Sequence, residues 1–88
     1  MSKYVLVTGA SSGIGQAVAV RLAQDGFTIL VHYNSNKAGA EKTLSLVHTY
    51  APASQIVQFN VLDYESIEKA LSDFDIEFLK VTPYEPIH

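Results

Sequence analysis

The chain alternates short runs that are apolar throughout with longer stretches in which apolar residues return every three or four positions. That alternation predicts strands interleaved with helices. Tyr4 to Val7 is the first continuous run and Phe27 to Tyr33 the second; both are too short for a helix, and the second is β-branched enough for a strand covered on both faces. Gln55 to Val61 is the third, with Ile56, Val57, Phe59 and Val61 facing a sheet interior. Between them, Ile14, Ala17, Val18, Arg21 and Leu22 share one helical face with Arg21 at its border, and Gly26 is placed to end that helix in the left-handed conformation. Ala40, Leu44 and Val47 mark a second helix over 38–50, stopped before Pro52, and Tyr64, Ile67, Leu71 and Phe74 mark a third. Asp75 to Thr82 is a candidate fourth strand beside the first. The order predicts an α/β fold: a half-Rossmann, three-layer, doubly wound parallel sheet with strand order 3-2-1, or 3-2-1-4 with the last segment paired.

Composition narrows the classes. Eighty-eight residues with 48% hydrophobic content describe one compact domain, because a chain of this size buries roughly 60–65% of its unfolded surface. A net charge of −3 without a Lys/Arg run gives no footprint for nucleic acid and none for an anionic membrane. No apolar stretch reaches the ~18 residues of a membrane span, and Met-Ser-Lys leads straight into the first strand instead of a signal peptide. A cytoplasmic protein is therefore expected. The absence of cysteine removes disulfides and thiolate metal sites. His32, His48 and His88 have no metal-ligand spacing and read as structural or surface residues, so no metal is expected. Asp73, Asp75 and Glu77 read as a solvated loop, and no Ser-His-Asp arrangement is visible.

The chemistry sits in the first strand-to-helix turn, Thr8-Gly9-Ala10-Ser11-Ser12-Gly13-Ile14-Gly15. Gly9 can take backbone angles closed to residues with a Cβ, Gly13 leaves room for a ligand against the main chain, and Gly15 lets the helix sit tight on the strand. The helix start offers N–H groups and a positive dipole end, natural partners for a diphosphate. A second decision falls at the end of the second strand, where a dinucleotide fold selecting NAD carries an acid for the ribose hydroxyls. Here Tyr33 is followed by Asn34, Ser35, Asn36 and Lys37, without an acid. A carboxylate ~4 Å from a 2′-phosphate would cost on the order of 4 kcal/mol per charge pair at an effective dielectric of ~20. Its absence permits NADP. Asn34, Ser35 and Asn36 are candidates to donate to that phosphate and Lys37 to supply charge; equally, Asn36 caps the next helix and Lys37 is solvated.

The spacing TGxxxGxG resembles the first strand-turn-helix of the short-chain dehydrogenase/reductase family at every defined position, and the resemblance runs over about residues 4–74. It implies a dinucleotide cofactor held by Gly9, Ser11, Ser12, Gly13, Ile14, Gly15, Tyr33, Asn34, Ser35 and Lys37, with NADP(H) preferred over NAD(H). Asn60-Val61-Leu62-Asp63 looks like the family's adenine-side motif. By that likeness the Asn60 side chain meets the base's amino group and the Val61 N–H a ring nitrogen, while Asp63 caps the following helix. The family reaction is hydride transfer to a ketone, and the resemblance implies the 3-oxoacyl-carrier-protein reductase type. Departures follow Phe74: Thr82 to His88 match nothing of the family's Asn-Asn-Ala-Gly turn, and its catalytic Ser and Tyr-x-x-x-Lys lie beyond the region covered. Tyr33 and Lys37 have that last spacing by chance, since Tyr33 ends a strand and the pair needs one helical face. The expectation is a single truncated dinucleotide-binding domain over 1–88 with an atypical tail at 75–88. It has no catalytic residue, is inactive alone, and forms a homo-oligomer or associates with a missing second half. The alternative is a non-catalytic nucleotide-binding or protein-interaction module of the same ancestry.

Overall fold

The structure, a computed structural model, describes residues 4–11 and 13–81, with side chains as far as Ile76. Its elements are β1 (Tyr4–Thr8), α1 (Gly13–Gln24), β2 (Thr28–Tyr33), α2 (Lys37–His48), β3 (Gln55–Gln58), α3 (Tyr64–Leu71) and β4 (Ile76–Val81). The four strands form one sheet in the order β3-β2-β1-β4, and every pairing is parallel. The fourth strand thus pairs with the first, and the extended order 3-2-1-4 holds. Beyond Val81, the tail Thr82–His88 lies outside the described residues.

Strand alternation sorts the core into two layers. Val5, Val7, Ile29 and Val31 pack with Ala19 and Ala23 of α1 and Ala40 and Val47 of α2. Leu6, Leu30, Val57 and Phe59 form a smaller cluster on the other face with Ile67, Leu71 and Phe74. The Phe74 ring also meets the Tyr4 ring edge-on, with centroids 5.2 Å apart. The sheet is therefore sandwiched between α1/α2 and α3, the three layers expected. β2 is buried from Ile29 to His32, as its near-continuous apolar run requires.

Three details differ from the pattern. The stripe that α1 buries is Gly15, Ala19 and Ala23, one position on from the expected face, and Ile14 is 48% exposed. Small residues win here because they let the helix axis approach the sheet, whereas counting large apolar residues places the face by size. β3 ends at Gln58, so Val61 lies outside the sheet and is 49% exposed; Asn60 turns the chain by accepting a hydrogen bond from the Leu62 N–H at 2.9 Å. Tyr64 opens α3 but is 72% exposed, and α3 has no fully buried residue. The end of α1 follows expectation: Gly26 has φ 101°, its N–H donates to the Ala23 carbonyl, and the Phe27 N–H donates to the Leu22 carbonyl, the paired closure of a left-handed cap.

Candidate nucleotide-binding site

The turn after β1 is built by its glycines. Gly9 has φ 63° and Gly13 φ 59°, both in the region that side chains with a Cβ rarely adopt. A Cβ on Gly13 would meet nothing within 4 Å. A Cβ on Gly15 would fall onto the Gly9 carbonyl, so this glycine is what lets α1 sit over the end of β1. The first turn of α1 carries no acidic side chain, which leaves the positive end of the helix dipole uncompensated. Open space over Gly13, two left-handed glycines and an acid-free helix start fit a diphosphate. Ser11 is half-buried in this turn, and Ser12 lies outside the described residues.

The neighbouring loops are tied to that turn by bonds that the motif does not reveal. Gly39 packs directly against the Ser11 carbonyl, where any Cβ would collide. The Thr43 hydroxyl, fully buried on α2, donates to the Ala10 carbonyl at 2.7 Å and accepts from the Gln16 side-chain amide at 2.8 Å. α2 is thus docked on the turn, and Asn34, Ser35, Asn36 and Lys37 stand exposed beside it. Asn36 caps α2, accepting from the Gly39 N–H at 3.0 Å, so the capping reading is correct for its Oδ1. Lys37 makes no ion pair among the described residues, and Tyr33 is half-buried against the α1/α2 core. With Tyr33 in β2 and Lys37 in α2, the two share no helical face.

His32 is the polar residue that the sequence pattern undervalued. Its ring is 2% exposed and joins three segments: the Gly9 N–H donates to Nδ1 at 3.0 Å, and Nε2 lies 2.9 Å from the Phe59 carbonyl. A carbonyl only accepts, so Nε2 carries the proton and Nδ1 is the acceptor. The ring stacks on Phe59 with centroids 4.0 Å apart, and the His32 carbonyl accepts from the Ala10 N–H at 2.9 Å. The available signal was a lone imidazole inside an otherwise apolar strand, one residue before its end. His48 is structural, its Nε2 bonded to the Ser54 carbonyl at 2.9 Å, while His88 lies outside the described residues.

On the far side, Asn60 and Val61 follow Phe59 at the same edge of the sheet, both exposed. Asp63 caps α3 through the Ser66 N–H at 3.3 Å, as expected. A surface hollow of about 950 Å³ is lined by α3 residues including Tyr64, Ile67 and Leu71 and not by the glycine-rich turn. Among the described residues no group of three metal-ligating side chains occurs, and no helix is long and apolar enough to cross a membrane.

Fold and turn together define the first half of a Rossmann-type sheet, with its ligand face at the carboxyl ends of β1, β2 and β3. The short chain dehydrogenase family model matches residues 3–82, and the chain belongs to that family. It is 40% identical over 76 residues to the 3-oxoacyl-[acyl-carrier-protein] reductase FabG of Aggregatibacter actinomycetemcomitans, covering 85% of this chain and 31% of the reductase. Among solved structures it is similar to LugOII, a promiscuous reductase that catalyses keto-reduction at C1 during lugdunomycin biosynthesis. That likeness has TM-score 0.67 and 36% identity, over 77% of this chain and 29% of LugOII. It is also similar to the landomycin C-6 ketoreductase LanV, solved with bound NADP and rabelomycin: TM-score 0.69 and 27% identity, over 80% of this chain and 29% of LanV. The chain spans about a third of the length of the curated relatives it matches.

Proposed function

We propose that this chain is the N-terminal, cofactor-binding part of an NADP-dependent short-chain reductase of the 3-oxoacyl-carrier-protein reductase type, with the catalytic half outside these residues. The observation that carries the reading is the junction of the diphosphate turn with α2. Gly39 seats α2 against the Ser11 carbonyl, and the segment thereby brought alongside, Asn34 to Lys37, is exposed and free of carboxylates. In this reading the turn N–H groups of Ser11, Ser12 and Ile14 hold the diphosphate, shaped by Gly9, Gly13 and Gly15. Tyr33 flanks the ribose, Asn34 and Ser35 donate to the 2′-phosphate, and Lys37 supplies charge. Asn60 and Val61 receive the adenine; the Asn60 Oδ1 has a lone pair left for the base after accepting from the Leu62 N–H. When bound, NADPH supplies the reducing equivalent that turns a ketone into an alcohol, and this chain's share is to hold and orient it.

Thr8 supports a completing segment. Its residue is 7% exposed, and its hydroxyl is buried at the end of β1 without a hydrogen-bond partner among the described residues. A group so placed costs about 1–3 kcal/mol until something bonds to it.

Calorimetric titration of the chain tests the reading. NADP+ is expected to bind weakly and NAD+ more weakly still, and Gly13→Asp should abolish both, since Asp at φ 59° is strained and its carboxylate faces the diphosphate. Equal affinities would remove the NADP assignment. Binding of neither would favour the non-catalytic interaction module instead.

A further inference from the structure

We propose that His32 is a positioning residue whose neutral Nε2–H tautomer holds the diphosphate turn and the adenine-side end of β3 in one arrangement, so that nucleotide binding is lost when the ring is protonated. The inference rests on the nucleotide-binding reading above and adds to it a residue outside the glycine motif. The Gly9 N–H is anchored on Nδ1 and the Phe59 carbonyl on Nε2, with ring and Phe59 side chain stacked. One imidazole therefore sets the distance between the two loops expected to hold the diphosphate and the adenine, because Asn60 and Val61 follow Phe59 directly. A ligand gripping both loops is sensitive to small displacements of one against the other.

Protonation acts on this link with a definite sign. The second proton goes to Nδ1, which becomes a donor facing the Gly9 N–H, so acceptor is replaced by donor and the contact must open. The Phe59 bond survives, because Nε2 donates in both forms. The titratable groups on the surrounding elements are Asp63, Tyr64, Glu65, Glu68 and Lys69 on the α3 side, and Lys37, Glu41 and Lys42 on α2, all exposed. Tyr4 lies at the far end of β1, and Arg21 and Asp25 pair with each other at the far end of α1. A cation under the diphosphate would by itself attract the ligand. Opening of the Gly9 contact opposes that attraction, and we expect it to prevail because the ring is buried and the turn cannot keep its shape around a charged imidazole.

The test pairs calorimetry with nuclear magnetic resonance on the full chain, using NADP+ as probe. Between about pH 8 and the lowest pH at which circular dichroism shows the chain still folded, wild-type affinity is expected to fall at least about tenfold. Asn at this position keeps an acceptor near the place of Nδ1 and does not titrate. His32→Asn gives up the Nε2 bond to the Phe59 carbonyl, so it should bind more weakly than wild type at the higher pH while showing a flatter profile. Titration of the probe's own 2′-phosphate is common to both proteins and cancels in the comparison. His32→Leu should bind weakly at both pH values. In the ligand-free chain, ring ¹⁵N shifts should report the Nε2–H tautomer, and the Gly9 amide resonance should move with the ring's titration. Tighter binding at low pH, an equal pH step in His32→Asn, or a Gly9 amide indifferent to the ring would overturn the proposal. If NADP+ binds at no pH while the Gly9 amide follows the ring, the nucleotide-binding reading has failed and the link between turn and histidine stands.

Discussion

At the scale of single residues, this fold depends on places where there is no side chain. Gly15 is the strictest: its missing Cβ is the space taken by the Gly9 carbonyl, a backbone group that cannot rotate away. Gly15→Ala is expected to destabilise the chain by about 2–3 kcal/mol, lowering the midpoint of thermal unfolding by roughly 10 °C for a domain of this size. Calorimetric or circular-dichroism melting would show it, and an unchanged midpoint would mean that α1 does not sit as described. Gly9, Gly13 and Gly15 were legible in the sequence because a turn of this shape needs glycine at fixed offsets. His32, Thr43 and Gly39 were not. The first two act on partners 23 to 33 positions away and Gly39 on Ser11, and no local spacing encodes a partner that only folding brings near.

At the scale of elements, α2 does more than cover the sheet. Its Thr43 binds the Ala10 carbonyl and receives the Gln16 amide, so two helices and the glycine-rich turn share one hydroxyl. Thr43→Val keeps the shape and deletes the hydroxyl, leaving the Ala10 carbonyl without this donor. A loss of about 1–3 kcal/mol is expected in denaturant unfolding, together with weaker nucleotide binding; full stability would show that packing alone docks α2. Periodicity placed α2 correctly but favoured Leu44, which is half-buried, over Thr43, which is fully buried. A threonine counts as polar until its hydroxyl is satisfied, and its satisfaction is a tertiary fact. The caps at Asn36 and Asp63 were readable because each bonds within its own first turn.

At the scale of the molecule, β1 is flanked on both sides, and among the described residues the sheet ends in β3 and β4. β3 is a four-residue strand, and short edges are poor templates for pairing. β4 is longer, six residues of sequence IEFLKV, and among the described residues it pairs only with β1. Light scattering coupled to size exclusion is expected to show association, most simply a two-fold dimer joined at this edge. A monodisperse 9.6 kDa species at micromolar concentration would show instead that the chain closes its own sheet. Strand and helix order and the glycine turn were determined by sequence alone, because side-chain period and φ preference are local properties of the chain. Tertiary structure decided which face α1 buries, that the last segment pairs with β1, and that a histidine and a threonine tie the glycine-rich turn to Phe59 and to α2. These depend on the close fit and hydrogen-bonding of groups far apart in the chain, which no short stretch of it contains.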